Sequence, residues 1–263
     1  PELVVSLNAT LSGQGDIAIG NIVGSNIFNI GVILGVSATI CPLQVKKQLL
    51  RIDIPVMLAA TVLFTILFWN GTLGRTEGLF FLTGIIIYTI FSLFYSRKHG
   101  TEGSSQELEE QPKHWAVDTL AIVGGLVVLV FASRLLVDNA VSIAKELGVS
   151  EAVIGLTIVA AGTSMPELAT SVTAALKKNP GIAIGNVIGS NLFNVFFVLG
   201  CSASLSPLPM GNINNIDMAV LVGSSILFWL VGWFFKKRTI TRIEGGLLVA
   251  CYIAYTAFLI SQQ

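Results

Sequence analysis

Long apolar runs separated by short polar breaks fill this chain from end to end. A hydrocarbon core ~30 Å thick needs roughly 20 apolar residues per helical crossing. Eight stretches qualify, at about residues 17–40, 52–69, 76–96, 116–137, 151–176, 181–204, 216–235 and 243–261, and residues 1–12 add a short ninth. Lipid cannot hydrogen-bond a peptide group, so these runs are expected to be helices rather than open sheet. Barrel strands would alternate apolar and polar residues over segments of about ten, a pattern this chain lacks.

Composition agrees. Apolar residues make up 53% of the 263 positions and charged residues 11%, where a soluble domain carries about 25% charge to keep its surface wetted. Lys and Arg balance Asp and Glu at a formal net charge of zero, which leaves no basic surplus to hold nucleic acid. Cys41, Cys201 and Cys251 are far apart in sequence, so neither a disulfide framework nor a soft-metal site is expected.

The basic residues then orient the spans. Taking the runs in order, one side receives Lys46, Lys47, Arg51, Arg97, Lys98, Lys113, Lys177, Lys178, Lys236, Lys237, Arg238 and Arg242, and the other only Arg75 and Lys145; Arg134 lies within a run. Cytoplasmic loops carry the excess of Lys and Arg, so the 97–114 loop is expected in the cytoplasm and the C-terminus outside it.

An internal repeat organises the whole. Residues 1–43 align without a gap on 166–208, with 22 of the 43 positions identical. Pro1-Glu2-Leu3, Gly20-Asn21, Gly24-Ser25-Asn26 and Phe28-Asn29 recur as Pro166-Glu167-Leu168, Gly185-Asn186, Gly189-Ser190-Asn191 and Phe193-Asn194. Arg75-Thr76-Glu77-Gly78 is echoed by Arg242-Ile243-Glu244-Gly245. Five runs separate equivalent points, so the copies enter the membrane from opposite sides, the inverted construction common among secondary transporters. The division expected is a first half over 1–99, a hydrophilic cytoplasmic linker over 100–114 and a second half over 115–263. The second copy has a run and the segment Ala160–Met165 before its Pro-Glu, with no counterpart before Pro1. The chain is therefore expected to lack its first span and half of its second.

The repeated residues carry the chemistry. Proline inside a helix has no N–H and clashes with the carbonyl four residues back, so Pro166 should break its helix near Gly162 and free carbonyls from Ala160 to Thr163. The Thr163 and Ser164 hydroxyls and the Glu167 carboxylate lie within two turns of that break. A carboxylate at mid-membrane costs roughly 2.5–3.5 kcal/mol by insertion scales and marks function. Glu2 supplies its symmetry mate. Two such carboxylates repel unless protonated or bridged by cations, and the oxygen donors on offer suit Ca2+ or Na+. Asn21, Ser25 and Asn29 form one polar stripe at steps of four, repeated by Asn186, Ser190 and Asn194. Glycines at matching steps (Gly20/Gly24, Gly31/Gly35, Gly185/Gly189) allow helices to approach closely. Asp53, Asp217, Glu77 and Glu244 start spans beside loops and read as solvated or paired helix ends. Arg134 and Asp138, one turn apart, are expected to pair. No nucleophile–base pair, phosphate loop or His cluster suggests an enzyme.

These paired motifs, Gly-Thr-Ser-x-Pro-Glu-Leu from Gly162 and Gly-Asn-x-x-Gly-Ser-Asn in both halves, resemble the sodium/calcium exchanger branch of the cation/Ca2+ antiporter superfamily. The resemblance covers nearly the whole chain. It implies an all-α integral membrane fold of ten helices in inverted five-helix halves, about eight full spans and a partial one being present here. It also implies alternating access, with Na+ entering down its gradient to expel Ca2+. By motif position, Glu2 and Glu167 would be the central ligands. Thr163, Ser164 and the Ala160 carbonyl would line Na+ sites with Ser25 and Ser190, and Asn29 and Asn194 would complete the ring. Proton-coupled members resemble Gly-Asn-x-x-Glu where this chain has Gly24 and Gly189, and potassium-dependent members tend to have Asp in place of Asn194. Both departures point to sodium coupling without potassium. Ca2+ and Na+ are then cargo, with no cofactor, no nucleic acid and no obligate protein partner expected besides the bilayer. A prokaryotic inner membrane suits the minimal loops. A Ca2+/H+ or other cation/H+ antiporter is the alternative within transport; a non-transporting truncated fragment is the alternative outside it.

Overall fold

The computed structural model describes residues 1–99, 115–234 and 238–262; the expected linker lies outside the described residues. The helices are α1 (Glu2–Leu11), α2 (Gly15–Ile40), α3 (Leu49–Asn70), α4 (Arg75–His99), α5 (Trp115–Glu146), α6 (Glu151–Thr163), α7 (Met165–Leu176), α8 (Pro180–Leu205), α9 (Asn215–Phe234) and α10 (Arg242–Ser261). Among the described residues six helices are long and apolar enough to cross a membrane, and the bent α6–α7 pair makes a seventh. The fourth apolar run falls inside the longer α5.

Burial sorts these helices into layers. Of the apolar stretch of α2, 94% is buried, against 61% for α8, 39% for α3 and α9, 22% for α10 and 11% for α4. The central pair is α2 and α8; α4 and α10 flank it and turn their Leu, Ile and Phe side chains outward, as helices facing lipid do. Glycine lets each flanking helix close on the centre. A Cβ on Gly78 of α4 would sit 2.6 Å from the Ser204 backbone nitrogen, and one on Gly245 of α10 would sit 2.6 Å from the Gly35 carbonyl oxygen.

The repeat is visible in three dimensions as matched contacts. Arg75 donates to the Leu205 carbonyl and Arg242 to the Ile40 carbonyl, each at 3.4 Å. The turn after α1 places Gly13 at φ +74, and the turn after α7 places Lys178 at φ +56. Glycine adopts that left-handed conformation freely, whereas Lys178 does so against the clash of its Cβ. Short strands tie the halves together at both ends. β1 (Leu43–Gln44) pairs antiparallel with β4 (Thr239–Ile240), Leu43 opposite Ile240, and β2 (Thr72–Leu73) with β3 (Leu208–Pro209), Leu73 opposite Leu208. The first pairing joins two loops the charge pattern assigned to one side, and the second joins two loops assigned to the other. Both halves also share a wider π-helical stretch, Asn29–Leu34 in α2 and Asn194–Val198 in α8. Such stretches recur at functional sites because the extra residue re-aims the side chains around it.

Candidate cation site

The break comes at Ser164, where α6 and α7 meet at 48°, rather than near Gly162. Pro166 sits in the first turn of α7, where an N–H has no intrahelical partner to lose, so the ladder upstream survives to Ser164. The Ala160 carbonyl is consequently not free. It accepts from the Ser164 backbone N–H at 3.1 Å, the Thr163 hydroxyl at 3.3 Å and the Ser25 hydroxyl at 3.4 Å. Glu167 lies in the first turn of α7 and Glu2 in the first turn of α1. Helix N-termini favour negative charge, so each of these two helices presents its carboxylate at the end that tolerates it best.

Asparagine holds α1 and α7 against the centre in the same way. Asn21 of α2 donates to the Glu2 main-chain carbonyl at 3.3 Å and the Ser6 hydroxyl at 2.9 Å. Asn186 of α8 donates to the Glu167 carbonyl at 3.0 Å and the Ser171 hydroxyl at 2.8 Å. These amides fix the main chain of each glutamate, leaving the carboxylate to face elsewhere. The Asn21 side-chain oxygen accepts from Thr163 at 3.0 Å, and the Ser25 and Thr163 hydroxyls are 3.4 Å apart. Ser164 donates to a Glu2 carboxylate oxygen at 3.1 Å.

Beside this cluster lies a cleft of about 390 Å3 lined by Glu2, Glu167, Asn186, Ser190 and Asn194. Across the repeat interface, Asn29 donates to the Asn191 side-chain oxygen at 2.9 Å and Asn194 to that of Asn26 at 3.2 Å. Glu2, Ser25, Asn29, Ala160, Thr163, Ser164, Glu167, Ser190 and Asn194 therefore all line or adjoin one region between α1, α2, α6, α7 and α8. Two acceptors there are buried with no donor: Glu167 Oε2 and Asn29 Oδ1. Among the described residues no three His, Cys, Asp or Glu side chains cluster. The donor set is two carboxylates supplemented by neutral amide, hydroxyl and carbonyl oxygens, which a hard cation accepts and a soft metal does not.

Sequence reasoning passed over Asn26, Asn191, Ser6 and Ser171 as site residues, although all four belong to the identities between the repeats. Asp53 and Asp217, expected to be solvated or paired, are paired and buried: each accepts a hydrogen bond from a tyrosine on the flanking helix, Tyr88 at 2.7 Å and Tyr255 at 2.8 Å. Neither adjoins the cleft. Glu77 and Glu244 are helix ends as expected, with Glu244 closing a capping box on Thr241. The Arg134–Asp138 pairing rests on an Arg134 side chain outside the described residues. The glycine stripe is used unequally. A Cβ on Gly24 would lie 2.3 Å from the Leu156 carbonyl oxygen and one on Gly20 would lie 3.0 Å from the Gly155 Cα, while Gly185 and Gly189 meet nothing within 4 Å.

This arrangement has relatives. The model of the sodium/calcium exchanger protein family matches residues 1–94 and 117–261. The chain belongs to that family. It is thereby a membrane transporter of the cation/Ca2+ antiport kind. It is 36% identical to the inner membrane protein YrbG of Escherichia coli over 98% of this chain and 82% of the relative. It is 30% identical to the sodium/calcium exchanger MaX1 of Methanosarcina acetivorans over 98% and 84%. Among solved structures, the sodium-calcium exchanger NCX_Mj superposes with a TM-score of 0.78 at 35% identity, covering 98% of this chain and 81% of that one. The inverted-repeat, all-α membrane fold expected from sequence is the fold of this exchanger.

Proposed function

We propose that the protein exchanges Na+ for Ca2+ by alternating access, with both ions bound between the two Pro-Glu repeats. The observation that carries this reading is the pair of repeat-related carboxylates, Glu2 and Glu167, lining one cleft, with two buried oxygen acceptors in that region that meet no donor, Glu167 Oε2 and Asn29 Oδ1. A buried acceptor left unpaired costs about 1–3 kcal/mol, and a cation is the partner that recovers it. Ca2+ takes six to eight oxygens and would neutralise both carboxylates, so Glu2 and Glu167 bind it directly with Asn29 and Asn194 alongside. Na+ carries half the charge, and more than one is needed to balance the same two carboxylates. The Ser25, Thr163, Ser164 and Ser190 hydroxyls supply the neutral oxygens for those additional ions, joined by the Ala160 carbonyl once the Ser25 and Thr163 hydroxyls that donate to it turn their own oxygens to the ion. Ca2+ and Na+ compete for the two carboxylates, so each displaces the other. That competition is the coupling. The inverted halves then alternate which side reaches the site.

Charge asymmetry supports an inner-membrane orientation with the 97–114 loop cytoplasmic, and the strand pairings support the same grouping of loops. Transport is tested in vesicles loaded with Na+ and diluted into Na+-free buffer containing Ca2+. Ca2+ uptake should require the Na+ gradient, survive proton and potassium ionophores and disappear in Glu167→Gln. Uptake that follows a pH gradient instead would replace Na+ by H+ as the coupled ion. Uptake that persists in Glu167→Gln would remove the paired carboxylates from the site.

A further inference from the structure

The four asparagines at the repeat interface form a matched set. Asn29 and Asn194 are equivalent positions of the two repeats, and so are Asn26 and Asn191. Each bond joins a residue of one kind in one repeat to a residue of the other kind in the opposite repeat, Asn29 to Asn191 and Asn194 to Asn26. All four are at most 2% exposed. An asparagine side chain has one end that attracts a cation and one end that repels it, and the two ends differ little in shape. A buried amide beside an ion therefore needs something else to decide which end faces the ion.

Taking the cation site proposed above as given, we infer that Asn26 and Asn191 are positioning residues that hold the Asn194 and Asn29 amides with their oxygens toward the ion. The Asn191 side-chain oxygen can only accept, so it draws the Asn29 NH2 group and turns Asn29 Oδ1 away, where it meets no donor. The Asn26 oxygen does the same to Asn194, a residue that lines the cleft. Asn191 is itself anchored, donating to the Asn26 main-chain carbonyl at 3.4 Å. The Asn26 NH2 group is left buried without a partner, so the network carries an unpaired donor while its oxygen serves Asn194. Each half of the protein thus orients an ion ligand of the other half, and the two ligands are aligned only while the halves stay in register.

The test is Ca2+ binding to the purified protein by calorimetry, with Ca2+ as the only titrant. Asn191→Leu keeps the branching and heavy-atom number and removes the acceptor, and should weaken binding about tenfold, the worth of one charge-assisted contact. Asn191→Asp keeps an oxygen opposite the Asn29 NH2 group and should stay within about threefold of the parent. The deciding variant is Asn29→Asp. A carboxylate has no wrong end, so in the Asn29→Asp background the further change Asn191→Leu should add less than about threefold. A full tenfold loss in that background, or an equal loss for Asn191→Leu and Asn191→Asp, would assign Asn191 to packing and overturn the inference. So would an Asn191→Leu variant that binds normally. Should Asn191→Leu fail to fold, Asn26→Leu and Asn26→Asp with Asn194→Asp put the same question to the mirror pair. A parent protein that binds no Ca2+, or binds it equally well as Glu167→Gln, removes the cation site and this inference with it. Binding that is lost in Glu167→Gln but indifferent to Asn191→Leu removes the positioning role alone.

Discussion

Each half buries a carboxylate away from the cation site and gives it one tyrosine, which makes a sharp prediction. Tyr255→Phe removes only the hydroxyl that donates to Asp217 Oδ1 at 2.8 Å. Asp217 is 1% exposed, so water cannot replace the lost donor, although the Asn214 backbone N–H still reaches its other oxygen at 2.8 Å. A hydrogen bond to a charged group is worth about 1.5–3 kcal/mol. At about 2–4 °C per kcal/mol for a chain of this size, the melting temperature in detergent should fall by about 3–12 °C. Tyr88→Phe at Asp53, bonded at 2.7 Å, should fall by a similar amount, because the repeat places it in an equivalent setting. Asp217→Asn tests the cause. An amide oxygen still accepts from Tyr255 but carries no charge, so Tyr255→Phe should cost about 1 kcal/mol less in that background. Thermal unfolding followed by intrinsic fluorescence measures all four variants. A Tyr255→Phe melting temperature within about 1 °C of the parent would show that the Asp217 carboxylate is satisfied without the phenol, and the reasoning would fail.

Three further outcomes are expected. Gly24→Ala places a methyl 2.3 Å from the Leu156 carbonyl oxygen and 2.7 Å from the Ala160 Cβ; it should destabilise by about 1–3 kcal/mol and lower ion affinity by moving Thr163 from Ser25, while Gly20→Ala, whose nearest contact is 3.0 Å, should cost less in the same melting and binding assays. Asn21→Leu loses two donors that hold the Glu2 helix and the acceptor for Thr163, and should reduce stability by about 2–4 kcal/mol and Ca2+ uptake together; unimpaired uptake would mean that the docking of α1 does not set the carboxylate's place. Arg75→Ala and Arg242→Ala each remove one 3.4 Å contact from an exposed arginine to a carbonyl and should change stability by less than about 0.5 kcal/mol; a loss above 2 kcal/mol in urea-free melting would show that these paired contacts tie the halves together.

Much of the architecture is one-dimensional information. Whether a segment crosses the membrane depends on its own run of apolar residues, because lipid leaves the peptide groups to be satisfied within the segment. A gapless repeat with 22 identities in 43 positions fixes the inverted halves by counting the crossings between equivalent points. The helix break is local too, since Pro166 lacks an N–H wherever it lies, although its place at Ser164 rather than Gly162 depends on which turn of the following helix the proline occupies. Glu2 and Glu167 stand out for the same kind of reason, as charges inside apolar runs.

What tertiary structure alone decided concerns which neighbour each residue meets. Gly24 reads in sequence as one small residue of a repeated motif, and only the crossing of α2 with α6 brings the Leu156 carbonyl against it. Asn26 reads in sequence only as part of a repeated Gly-Ser-Asn motif, and the crossing of α2 with α8 is what brings its oxygen to Asn194. Asp53 reads as a helix end either solvated or paired, and α4 packing beside it decides for pairing by bringing Tyr88 from 35 residues away. A sequence states which hydrogen-bonding groups must find partners. Which partner each one finds is set by helix rotation and depth, and those follow from the summed packing of residues more than a hundred positions apart.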